Sequence, residues 1–183
     1  MQSIEIVTKY VERELADILM LEKECFPADW QYPEAAEYYA SMLADSENVN
    51  IFLRDGGETV GYLLARPFKS VVQELKESDP ELTDKLEAFY YIETIQILPS
   101  YQGKGGARRL LIETSEAVMK HGVNKFAIHA RTTNGLNQII KKVFAGFITL
   151  TREIDSWRWA NGEPYEYIEW ESNASAINTD SIK

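Results

Sequence analysis

The chain's 183 residues, 45% hydrophobic and 26% charged, suffice for one domain-sized core and do not read as a disordered polyelectrolyte. A single cysteine, Cys25, rules out an internal disulfide or a cysteine metal cluster, and two histidines, His121 and His129, argue against a histidine-rich site, so no metal is expected. Acids outnumber bases 19 to 8 in residues 1–90 (net −11), while residues 91–183 hold 10 acids and 11 bases (net +1); the sum of −10 repels phosphate backbones and speaks against nucleic acid as a partner.

In chain order, residues 4–8 alternate weakly, as an edge strand would. Apolar residues at 11, 15, 18, 19, 21 and 25 predict a helix over 11–25, ended by Phe26-Pro27. Pro33 suits a first helical turn, and Ala36, Tyr39, Met42 and Leu43 continue a second helix. Residues 50–54 and 59–66, joined by Asp55-Gly56-Gly57, predict a β-hairpin. Residues 68–88 are acidic with a helical pattern (Val72 and Leu75, then Leu82 and Leu86) broken at Asp79-Pro80. A strand over 89–98, rich in aromatic and β-branched residues, is stopped by Pro99. After a glycine-rich turn at 101–107, the residues Ala107, Leu110, Leu111, Thr114, Ala117 and Val118 predict a helix that Gly122 ends. Residues 125–130 read as a buried strand, and Leu136, Ile139, Ile140, Val143 and Phe144 as an amphipathic helix closed by Gly146. Strands over 147–153 and 165–170 flank a loop with Trp157, Trp159 and Asn161-Gly162, which either serves a homodimer interface or packs on the sheet. The expected organisation is one domain over 1–171, an acidic insertion near 68–88, and a frayed polar tail, 172–183. No apolar run exceeds strand length and the opening Met1-Gln2-Ser3-Ile4-Glu5 has no signal-peptide pattern, so a cytoplasmic chain without membrane contact is expected.

The chemistry concentrates at 101–107, Tyr-Gln-Gly-Lys-Gly-Gly-Ala, between a strand and a helix. Such a turn presents unpaired main-chain N–H groups at the positive end of a helix dipole, a phosphate-binding arrangement, with Lys104, Arg108 and Arg109 adding charge. Arg108 and Arg109 are as readily plain helix surface. A P-loop needs a Lys-Ser/Thr pair after its last glycine, and here Lys104 precedes Gly105 with no Ser or Thr behind it. A Rossmann turn needs a third glycine and an acid closing the next strand, which ends instead in Ala130-Arg131. Gln102-x-x-Gly105-x-Ala107, preceded by Ile97-x-Pro99 and followed by Asn134 and Gly146-Phe147, resembles the acetyl-CoA signature of the GNAT family of N-acetyltransferases, loosely over residues 4–170.

That resemblance implies an α/β (α+β) fold: one mixed, mostly antiparallel central sheet flanked by helices, with a splayed strand pair holding acetyl-CoA. It implies that main-chain groups of Ile95, Gln96 and Ile97 hold the pantetheine arm, that the amides of Gln102, Gly103, Lys104, Gly105, Gly106 and Ala107 hold the pyrophosphate, and that Asn134 touches the cofactor near the arm. The implied reaction is direct attack of a neutral amine on the thioester, which needs a base. Period-two alternation puts Tyr91, Glu93, Ile95 and Ile97 on one strand face. Glu93 there is either a partly desolvated base, or an acid that lies at a solvated edge or pairs with a lysine. His129 is the second candidate base, or a structural histidine in a buried strand. Relatives place a tyrosine about four residues before Gly-Phe to protonate the thiolate. Here Lys142 holds that spacing, Phe144 is nearby, and Tyr165 is an alternative. The acceptor is expected to be cationic, drawn by the acidic half, with Trp30, Tyr32, Tyr38 and Tyr39 lining its pocket or forming core. The alternative is a non-catalytic acyl-CoA-binding or interaction module on the same fold.

Overall fold

The computed structural model describes residues 2–7, 12–26, 31, 34–83, 88–157 and 162–173. Pro27, Trp30, Tyr32, Pro33, Trp159 and the expected tail from residue 174 lie outside them. The chain divides into two compact units, Met1–Arg66 with Ile92–Thr114, and Pro67–Tyr91 with Ser115–Lys183. One mixed seven-stranded sheet has the order β1-β2-β3-β4-β5-β7-β6, as the family resemblance implied.

In the first unit, β1 (Gln2–Val7) pairs antiparallel with β2 (Val49–Asp55), and β2 with β3 (Glu58–Pro67). Gly56 and Gly57 both have positive φ, which a two-residue hairpin turn of matching twist requires. The 92–97 stretch of β4 (Tyr90–Ile97) is this unit's other edge strand. Helices α1 (Glu12–Cys25) and α2 (Ala35–Ala44) place Ile18, Leu21, Tyr39, Met42 and Leu43 against Phe52, Tyr62 and Leu64. The buried stripe of α1 is Glu14, Ile18, Leu21 and Glu22, so two of its four inward residues are acids. Glu14 is there because Arg54, itself buried, reaches Glu5, Glu14, Asp17 and Thr59. A buried charge is tolerated when it is paired and hydrogen-bonded in this way.

In the second unit, β4 runs parallel to β5 (Lys125–Arg131) at Tyr90↔Phe126 and Tyr91↔Ala127. Strand β7 (Glu163–Glu171) pairs antiparallel with β5 and with β6 (Ile148–Trp157). Trp170 stacks between Phe126 (5.3 Å, 12°) and Phe144 (4.8 Å, 19°). Burial of each such ring contributes about 2–3 kcal/mol. Within the described residues of the acidic segment, the helical pattern is realised as a 3₁₀ turn, Phe68–Ser70, and the single-turn α3 (Val72–Leu75); Leu82 is buried outside a helix, and Leu86 lies outside the described residues. Pro80 supplies no N–H, and a helix-type hydrogen bond runs from the Asp79 N–H to the Leu75 carbonyl at 2.8 Å just before it. Trp157 is buried in this unit rather than offered as an interface. Helix α4 (Gly106–Met119) crosses the division, and α5 (Leu136–Val143) lies in the second unit.

Candidate active site

Of the residues singled out, Glu93, 95–97 and 102–107 belong to the first unit, and His129 and Asn134 to the second. At the turn, a 3₁₀ segment Pro99–Tyr101 leads into Gly103 (φ 73°) and Gly105 (φ 81°). The Arg109 N–H donates to the Gly105 carbonyl at 3.1 Å, the first hydrogen bond of α4. The amides of Gly106, Ala107 and Arg108 therefore precede the helical ladder and have no acceptor within it. A Cβ on Gly103 or Gly105 would meet nothing within 4 Å, so the cradle is open. Gly106 is closed from below: a Cβ would lie 3.0 Å from Leu53 Cδ2 and 3.1 Å from Ile97 Cδ1. The residues present thus fit a diphosphate.

Side chains lock the turn to the strand. Gln102 Nε2 donates to the Ile97 carbonyl at 3.0 Å, and the Cys25 thiol approaches the same oxygen at 3.6 Å. Burial first, then the charges of Glu22 and Glu24, push that thiol up to about 11. Gly61 of β3 is a position that sequence reasoning passed over. A Cβ there would come within 2.5 Å of Ile97 Cδ1 and 2.7 Å of the Gln96 carbonyl. Ile95 is half-buried, and Gln96 and Ile97 are buried. Lys104 holds its ammonium 4.8 Å over the Tyr101 ring. Arg109 donates to the Gln2 carbonyl at 3.1 Å and so ties α4 to β1.

Glu93 is 20% exposed at its side chain and gripped from two elements. The Tyr38 hydroxyl of α2 donates to Oε1 at 2.6 Å, and Arg66 of β3 reaches Oε2 with Nε at 2.9 Å and Nη2 at 2.8 Å. Its cation is an arginine, not the lysine the sequence suggested. Burial, then the Glu93 charge, raises the Tyr38 hydroxyl above the ordinary phenol range. The Tyr38 ring meets Tyr39 edge-on at 5.2 Å, and Tyr39 is core. Beyond it, Glu22 accepts from the Tyr62 hydroxyl at 2.7 Å. Burial raises Glu22 above the usual carboxylate range, against the hydrogen bonds of Tyr62 and Tyr39.

His129 has a side-chain exposure of 1%. Its Nε2 lies 3.0 Å from Asp79 Oδ2 and its Nδ1 lies 2.9 Å from the Tyr91 hydroxyl. The ring stacks on Trp157 at 4.2 Å, with Tyr167 at 4.9 Å. Arg152 also donates to Asp79. Burial alone would raise Asp79, but the hydrogen bonds from His129 and Arg152 prevail and hold it below the usual carboxylate range. A charged Asp79 accepts the Nε2–H, and Nδ1 pairs with the Tyr91 hydroxyl. Asp79 is thus spent inside the fold and does not face an incoming cation. Asn134 is exposed, and its Oδ1 accepts the Leu136 N–H at 3.0 Å, capping the start of α5. Lys142 is exposed, Phe144 is in the Trp170 stack, and Tyr165 lies against Trp157 at 5.6 Å. Among the described residues no group of three metal-ligating side chains occurs, and no helix is long and apolar enough to cross a membrane.

A family model described as the Acetyltransferase (GNAT) family matches residues 15–147. No curated protein matches the chain. Among solved structures, an aminoglycoside 6'-acetyltransferase type Ii superposes with a TM-score of 0.68 at 13% identity, over 92% of this chain and 96% of that one. The ribosomal-protein-S18-alanine N-acetyltransferase of Escherichia coli gives 0.64 at 16% identity, over 93% and 94%. The PaiA N-acetyltransferase of Thermoplasma acidophilum, in complex with coenzyme A, gives 0.62 at 12% identity, over 93% and 99%. At these identities the likeness establishes the fold.

Proposed function

Because the chain belongs to the GNAT acetyltransferase family, we propose that it transfers an acetyl group from acetyl-CoA to a primary amine by direct attack within a ternary complex. The observation that carries this reading is the open start of α4, where the Gly106, Ala107 and Arg108 amides stand ahead of the helical ladder beside two glycines at positive φ. Acetyl-CoA supplies the activated thioester. The turn 102–107 binds its diphosphate, and the outer edge of residues 95–97 takes the pantetheine arm as an added strand. Glu93 removes the amine proton. Cys25 is not an acyl carrier, since a thiol held up to about 11 is overwhelmingly protonated near neutral pH. His129 has both ring nitrogens engaged inside its stack, and we assign it to structure.

The acceptor is cationic in this reading, because the chain carries −10 and Glu74, Glu77 and Glu81 remain exposed although Asp79 is internal. For a polycationic acceptor, KM rises steeply with salt, and a flat dependence removes that assignment. Calorimetry with CoA and acetyl-CoA, then free-thiol detection with spermidine, kanamycin and an oligolysine peptide, tests the whole. We expect CoA binding and thiol release with at least one amine. No heat with either ligand overturns it. One observation favours the non-catalytic module: Phe144 sits locked in the core and Lys142 stands where relatives carry a tyrosine. Tight CoA binding with no thiol release on any amine selects that module.

A further inference from the structure

Tyr38 and Arg66 come from different elements, α2 and β3, and their polar ends converge on the two oxygens of one carboxylate. The division of labour is unequal. Oε2 is met by the guanidinium alone, Nε donating at 2.9 Å and Nη2 in ion-pair contact at 2.8 Å, which anchors that one oxygen. Oε1 is met by one hydroxyl at 2.6 Å. A tyrosine hydroxyl can rotate its proton about the C–O bond without moving the ring, whereas the guanidinium is planar and rigid. The ring of Tyr38 is itself set edge-on against buried Tyr39, so the hydroxyl is delivered from a fixed support.

We propose that Tyr38 and Arg66 are positioning residues for Glu93, with Arg66 anchoring Oε2 so that Oε1, marked by the Tyr38 hydroxyl, is the oxygen that takes the amine proton. This rests on the reading of Glu93 as the base. In the transfer the amine N–H bond breaks and an O–H bond forms at Oε1. The Tyr38 proton turns away from that oxygen as the new one arrives. Arg66 keeps its hold on Oε2 throughout. A lysine at 66 would retain the charge and lose the planar Nε donation to Oε2.

The test uses the full chain and whichever of spermidine, kanamycin and the oligolysine peptide the wild type acetylates fastest. Tyr38→Phe deletes one hydroxyl and keeps the ring against Tyr39, so it stays informative even where Arg66→Lys folds poorly. Each substitution is expected to lower kcat roughly tenfold, the effect of one lost hydrogen bond to a charged group, with the calorimetric Kd for CoA unchanged. Loss of packing alone would scale the whole pH profile of kcat/KM by one factor, whereas a loosened hold on Glu93 changes its shape on the acid side. Wild-type kcat and profile in both variants, with Glu93→Gln inactive, overturn the positioning role and leave the base in place. Undiminished kcat in Glu93→Gln overturns the base and this proposal with it. No transfer to any amine by the wild type overturns the enzymatic reading itself.

Discussion

In the first unit, Glu93 is held by a tyrosine hydroxyl and an arginine; in the second, His129 is held by a tyrosine hydroxyl and by an aspartate that an arginine backs. The partners are alike and the surroundings are not. Glu93 keeps 20% of its side chain in solvent, while His129 keeps 1% and lies between aromatic rings. A group that must meet an incoming amine needs an open side, and only Glu93 has one. The same motif of clamps therefore holds a part-exposed carboxylate in one place and fills a core in the other. Residue type alone makes histidine the stronger base candidate near neutral pH, whereas exposure favours Glu93.

The sharpest way to break the comparison is to remove each group in turn. Glu93→Gln is expected to lower kcat by about 10²–10⁴-fold, the usual worth of a general base, with CoA affinity by calorimetry unchanged. His129→Gln is expected to leave kcat of the folded protein intact and to cost about 1–3 kcal/mol of stability by denaturant titration, because Asp79 and the Tyr91 hydroxyl lose a buried hydrogen-bond partner while Arg152 keeps its pair with Asp79. A kcat collapse in His129→Gln at undiminished stability would reverse the two assignments.

Acid and alkaline unfolding sharpen the contrast further, because each unit buries a carboxyl group of opposite sign. Asp79 is held below the ordinary aspartate value, so its contribution is present above that value and is lost as pH falls through the lowered one. Glu22 is raised above 4.5, so its contribution is full below 4.5 and is lost as pH rises through the raised value. Glu22→Gln should therefore gain on the wild type between pH 5 and 8 and match it below pH 4, whereas Arg152→Met should lose most above pH 4. Parallel stability curves for wild type and Glu22→Gln across that range would show that Glu22 is ionised in the fold.

Most elements were legible because period and punctuation agreed: the hairpin at Gly56-Gly57, the turn at 102–107 and the stop at Gly122 all carry glycines at positive φ. The segment 68–88 was legible in part: Val72 and Leu75 lie on the one-turn α3, while Leu82, beyond the break at Asp79-Pro80, is buried without a helix. Glu93 stood out as an acid among apolar neighbours. Its holders did not: Tyr38 reads as one more aromatic residue and Arg66 as a strand end. The pairing that joins residues 38, 66 and 93 is set by tertiary packing, to which a single sequence gives no period. Glu14 and Glu22 were invisible as core positions for the same reason, their partners Arg54 and Tyr62 lying 40 residues away.

The smallest expected effect probes the turn. Gly103 has φ 73°, and nothing lies within 4 Å of the place a Cβ would occupy. Gly103→Ala therefore meets no clash, and its cost is the backbone penalty of about 1–2 kcal/mol for an L-residue in that conformation. The backbone has two ways to answer. Staying put, it loses that stability and keeps its amides in place; relaxing, it keeps stability and turns the Gly103 and Lys104 amides out of the cradle. Thermal melting and CoA calorimetry on the same sample separate the two, and the sum of the stability loss and the CoA affinity loss is expected to come to roughly the full penalty. A variant with wild-type melting and wild-type CoA affinity would mean that the positive φ at this position is not maintained in solution, and the cradle at the start of α4 would need another geometry.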